Sequence, residues 1–192
     1  MMTTESLLAW RSVLAWSTGL FVVRIVLGLL MAGHGAQKLL GWFGGYGLAG
    51  TAGFFEQLGF RPGRLFAAVA ATTEIVSGLL VALGLFGPVG PALMVSVMIV
   101  AAVSVHWQHG LFAQNNGIEV ALLYAAVAFA LALTGPGLFS LDALFSIETL
   151  WQPGLAVTAL VVGVVGGVGN LLARRPQVAA DERGAPTTHA SA

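Results

Sequence analysis

Cysteine is absent from the sequence, and that absence removes disulfides, thiolate metal sites, iron–sulfur clusters and thiol redox chemistry from this chain. Charge is scarce as well: Asp, Glu, Lys and Arg make up 8% of the 192 residues, eight acidic against eight basic. A soluble domain carries about 25% charged residues, so this chain has too few to cover a water-facing surface. Its net charge of zero argues against a nucleic-acid partner. Apolar residues are what is abundant, at 57% of the chain with a mean hydropathy of +0.90. The lipid bilayer is therefore the expected partner. The N-terminus, MMTTESLLAWRSVLAW, has neither a cationic leader nor a small-residue cleavage site, and it is expected to be retained.

A bilayer core of roughly 30 Å needs about 20 apolar residues per helix. Five segments suit that length, at residues 15–40, 65–86, 89–107, 118–134 and 154–173. The expected fold is an all-α membrane protein, with a four-helix transmembrane bundle and a fifth, C-terminal transmembrane helix. An N-terminal segment (1–14) precedes the four-helix domain (15–145). A linker and the fifth helix (146–173) lead to a polar tail (174–192) whose composition predicts disorder. The turn GPVGP makes the second and third helices an antiparallel hairpin. Within the connection from the fourth helix to the fifth, SLDALFSIETLW is expected to form a short interfacial helix. After the first helix, the aromatic, glycine-rich WFGGYGLAGTAGFFEQLGFRPG reads as an anchoring loop at the membrane surface, or alternatively as a lid over a pocket between helices. On the fifth helix, Gly163 and Gly167 stand at the spacing that lets helices pack closely. They are either part of a generic glycine-rich span or the face of a homo-oligomer.

The first helix poses the main question, because a segment suited to lipid contains Arg24, His34, Gln37 and Lys38. Ionisable groups near mid-bilayer cost at least ~2.5 kcal/mol each, so they face protein or water and find partners. At ~100° per residue, Arg24, Gly28, Met31, His34, Gly35 and Lys38 fall on one stripe. The second helix carries a single carboxylate, Glu74, at a depth from which His34 or Arg24 could reach it. Side chains lean toward the N-terminus of their own helix, which favours His34 over Arg24 as its partner. His106 ends the third helix and Glu119 opens the fourth, on the same membrane side. The candidate polar site thus comprises Arg24, His34, Lys38, Glu74, His106 and Glu119. Each has a plainer role open to it: Glu119 three residues after Asn116 has capping-box spacing, Lys38 can snorkel, and His106 can be interfacial. No metal site is expected. Two isolated histidines, His34 and His106, are too weak a signal to specify a haem site.

These residues also resemble a family pattern. Arg24, Gly28, His34, Gly35, Lys38 and Gly41–Trp42–Phe43–Gly44–Gly45 are followed by Phe54, Phe55, Leu58 and Gly59, then by Glu74, Gly78 and Gly84. His106, the Asn116–Gly117–Glu119 motif and the stretch from Gly135 to Asp142 complete a set that resembles the DoxX family of small bacterial membrane proteins, over about Gly19 to Asp142. The resemblance implies a four-helix membrane core and an association with redox chemistry, since relatives occur as membrane subunits of quinone-linked sulfur oxidation and with oxidative-stress proteins. It does not imply a settled reaction, and no catalytic residue is assigned.

Three functions fit the sequence. One is a membrane redox subunit binding quinone or quinol at the polar site, with electrons coming from a soluble or membrane partner. The others are a small-molecule or lipid binding or transport protein, and a structural anchor. The positive-inside rule fixes the orientation: with five spans, Lys38, Arg61, Arg64, Arg174 and Arg175 share one side, which places the tail in the cytoplasm of a bacterial inner-membrane protein. Reporter fusions after Asp142 and after Arg175 are expected to report opposite sides; agreement between them would remove the fifth span or the orientation.

Overall fold

The computed structural model describes residues 3–175, so the expected disorder of the tail lies, from residue 176 on, outside the described residues. All the regular secondary structure of the described residues is helical. α1 (Thr4–Leu40) starts where the Thr3 hydroxyl accepts the Ser6 N–H, and stops at Gly41, whose left-handed φ of 73° turns the chain out of the helix. It begins at Thr4, well before the expected residue 15, because TESLLAWRSVLAW offers a cap and no helix breaker. A one-turn 3₁₀ segment (Trp42–Gly44) leads to α2 (Gly47–Gln57), and α3 (Gly63–Leu83) follows. α4 (Val89–Ala101) continues through a π-helical segment (Ala102–His106) and a 3₁₀ turn to His109. α5 (Glu119–Thr134), the short α6 (Leu141–Leu144) and α7 (Pro153–Leu172) complete the order.

α1, α3, α4 with its extension, and α7 are each long and apolar enough to cross a membrane. α5 is apolar but only 16 residues long, about 24 Å at 1.5 Å per residue. It packs against α4 and contributes Tyr124, Ala128 and Leu131 to the core shared with Met31, Val81, Met94, Met98 and Leu160. The expectation of four core spans and a fifth thus becomes four long spans, with a shorter apolar helix in fourth place.

Small residues set the helix spacing. A Cβ on Gly28 would strike the Gly78 carbonyl oxygen, and one on Gly35 would lie 2.5 Å from the Ala71 carbonyl oxygen, so the α1 and α3 backbones are nearly in contact. Between lipid-soluble helices there is little hydrophobic gain from association, and such close packing supplies the cohesion instead. α7 uses the same device on α4. Gly163 lies against Ala92, and a Cβ on Gly167 would come within 2.8 Å of the Ser96 carbonyl oxygen. The homo-oligomer face read from Gly163 and Gly167 is therefore already occupied within the chain.

Two ends of the bundle are held differently. At one end, Phe55, Phe60 and Ala67 pack with Leu171, the Arg175 N–H donates to the Gly59 carbonyl at 2.8 Å, and the Arg174 side chain donates to the Leu58 carbonyl. This brings the basic residues after α7 beside those that open α3. At the other end, the connection expected to lie on the membrane as one interfacial helix is instead two short pieces, α6 and a 3₁₀ turn (Glu148–Trp151), pinned by Asp142. The Asp142 carboxylate is fully buried and accepts the Phe86 N–H at 2.9 Å, the Gly87 N–H at 2.7 Å and the Trp151 indole N–H at 2.7 Å. A carboxylate needs several donors when buried, and the free N–H groups of the α3–α4 turn supply them.

Gly28→Leu is expected to lower the detergent melting temperature sharply, because the helix backbones have nowhere to move. Gly33→Leu, at a position with open space around it, is expected to leave it nearly unchanged. Equal effects would mean that the α1–α3 contact does not limit stability.

Candidate polar site at the Lys38 end of the bundle

Glu74 is the single carboxylate of α3, with its side chain only 3% exposed, and its partner is Lys38. The Nζ donates to Oε1 and, at 2.6 Å, to Oε2. The expectation of His34 or Arg24 as partner is corrected by the same lean that favoured His34. Lys38 sits one turn farther toward the end of α1, its side chain reaches back along the helix, and Glu74 reaches the opposite way along antiparallel α3. The long Lys stem closes the remaining gap. It also leaves one third of that side chain exposed, facing a cleft.

The cleft has a volume of about 650 Å³ and lies between the end of α1, the Gly44–Gly45–Tyr46 turn and α2. His34, Gln37 and Lys38 form one wall, and Gly50, Thr51, Phe54 and Phe55 the other. α2 is held to α1 by the Thr51 hydroxyl, which donates to the Lys38 carbonyl at 3.2 Å, and its Phe55 ring packs tilted against Phe60 at a centroid distance of 5.5 Å. The aromatic loop thus covers a pocket, as the lid reading expects, while Trp42, Phe43 and Tyr46 project outward as the anchoring reading expects.

His34 has a defined hydrogen-bond sense. The Gln37 amide donates from Nε2 to the Phe43 carbonyl at 3.3 Å, which turns Oε1 toward His34 Nδ1 at 3.2 Å. Nδ1 therefore carries the proton in the neutral ring, and Nε2 is left to accept. The ring also meets Tyr124 edge-to-face at a centroid distance of 6.0 Å. Tyr124 is buried. It was missed in the sequence because an aromatic in EVALLYAAVAFALALT reads as core. Its hydroxyl is the only signal, as the one polar group between Glu119 and Thr134.

The other candidates lie elsewhere. Arg24 is 1% exposed at the Asp142 end, where its guanidinium donates to the Phe139 carbonyl and presses on Gly84; its Nε and Nη1 have no partner among the described residues. His106 and Glu119 do not join the cluster. The His106 Nδ1–H donates to the Asn116 carbonyl at 2.8 Å, and Glu119 accepts the Ala113 N–H at 2.8 Å, so both tie down the α4–α5 loop. The capping box expected from Asn116 does not form. Asn116 is left-handed (φ 62°), whereas an N-cap is extended. His34 and His106 thus serve separate structures.

Breaking one partner of a buried ion pair costs about 3–5 kcal/mol. Lys38→Met is expected to cost less than that, since the lysine is partly solvated. Adding Glu74→Gln to Lys38→Met should recover part of the loss in detergent unfolding; strictly additive losses would show the pair to be uncoupled.

No curated protein and no solved structure matches the chain. The DoxX family model does match, over residues 19–107, from within α1 into the extension of α4 and so including Arg24, His34, Lys38, Glu74 and His106. The motifs at Asn116–Glu119 and Gly135–Asp142 fall beyond the matched stretch. Residues 19–107 of this multi-pass membrane protein are thus similar to the DoxX family.

Proposed function

We propose that the protein is a membrane subunit of a redox system and that the cleft beside Lys38 binds the head group of a quinone or quinol. The observation that carries this reading is the convergence of a donor and an acceptor on one cavity. The Lys38 ammonium, with two of its three N–H groups taken by Glu74, has one left for a ring carbonyl, and His34 Nε2 can accept from a ring hydroxyl. Reduction of a quinone to a quinol takes up two electrons and two protons. Lys38 and His34 stand where such protons would be given or received, and Glu74 holds Lys38 in place. The electrons come from a partner protein in this reading, because the sequence carries no redox-cofactor signature. The Lys38 end, with Arg61, Arg64, Arg174 and Arg175, faces the cytoplasm of a bacterial inner membrane.

A second reading, binding of a small molecule or lipid without electron transfer, draws on the same cleft. Its support is that α2 lies at the helix ends, where a lid over a bound solute would be placed.

Solvent extraction of the purified protein is expected to yield quinone. Titration with a short-chain benzoquinone should give a Kd that rises about tenfold, ~1.4 kcal/mol, in His34→Ala and in Lys38→Met. Glu74→Gln is expected to fold and bind weakly, whereas Glu74→Leu also disturbs the bundle. Full binding in Lys38→Met would move the head group out of this cleft.

A further inference from the structure

α1 packs along α3, and α5 packs along α4, but α1 and α5 do not pack along each other. Between them runs a groove of about 380 Å³, open to the bilayer and almost wholly apolar. Val23, Val26 and Leu30 of α1 face Leu123 and Val127 of α5 across it, with Tyr124 at its floor.

Two observations join this groove to the polar cleft. Val23, Val26, Leu30, His34 and Gln37 follow one another at intervals of three or four residues, so they form a single row on α1. That row changes from apolar to polar within one turn, between Leu30 and His34. The row is also distinct from the one through Gly28 and Gly35 that is spent on α3. Tyr124 belongs to both places, because it lines the groove and its ring meets that of His34 at 6.0 Å. Apolar groove, histidine, lysine and cleft therefore follow one another in the order of an amphiphile's chain and head.

We infer that the α1–α5 groove holds the apolar chain of the ligand whose head group sits at His34 and Lys38, so that the ligand is a long-tailed amphiphile reaching the site sideways from the bilayer. This rests on the quinone reading for the head group. It adds that the tail has a built seat and that access runs through lipid. Lipid is as apolar as the groove, so the seat contributes little hydrophobic transfer energy. What it supplies is alignment, delivering the head beside His34 and Lys38 instead of leaving it free in the bilayer plane.

The test uses the full chain in nanodiscs of one defined phospholipid, with two probes, a benzoquinone bearing an isoprenoid chain and the same ring without the chain. Leu30→Trp and Leu123→Trp fill the groove from exposed positions. Val162→Trp, exposed on α7 away from the groove, is the control. The expected result is a loss of about tenfold in affinity for the tailed probe in both groove variants, with the tail-less probe and the control unchanged. Unchanged tailed binding in the groove variants would mean that ordinary bilayer lipid is the only occupant, overturning the inference while the head-group site stands. Equal losses for both probes would also overturn it, since the substitutions would then be acting on the head site or the fold. Failure of the wild type to bind either probe would overturn the quinone reading and this inference together.

Discussion

The close approach of α1 to α3 is the contact on which the remaining arrangement depends. With no side chain at Gly28, Gly35 or Gly78, two helix backbones come together as only glycine permits. At that distance the side chains at the two ends of the interface need not extend far to meet neighbours. Lys38 reaches Glu74 at one end, and Arg24 reaches the Phe139 carbonyl past Gly84 at the other. A larger residue in the middle would part the helices and leave both groups buried without partners, which the interior of a bilayer penalises severely.

The two ends then serve different purposes. At the Asp142 end a buried carboxylate with three donors knits the α3–α4 turn to the segment before α7. The Lys38 end is open. Its ion pair is buried on the Glu74 side and partly exposed on the Lys38 side, and a covering helix stands off to leave a cleft.

The first helix presents two neighbouring rows of side chains to different surroundings. The row through Arg24, Gly28, Met31 and Gly35 is buried against the bundle. The neighbouring row, through Val23, Val26, Leu30 and His34, is left to the groove and the cleft. Reading all the polar residues as one stripe merged these two rows, since Lys38 lies at the boundary between them and His34 beyond it.

The sequence by itself determined the membrane class, four of the five principal helices to within a few residues of their observed ends, and the polar character of the Lys38 end. Hydropathy and the Pro/Gly punctuation at GPVGP and Gly41 act locally, and local physics can be read from a string. It placed Lys38, His34 and Glu74 in the same half of the bundle because helical rise converts position into depth. Tertiary structure alone decided which of them touch. The choice of Lys38 over His34 turned on side-chain length across an interface whose width depends on glycines from both helices. His106 and Glu119 were drawn away by backbone donors and acceptors in their own loop, Gly163 and Gly167 were taken up by α4, and Tyr124 was brought to His34 from a helix ninety residues on. Each of these outcomes is a competition among partners distant in sequence, and only the folded arrangement determines which partner is nearest.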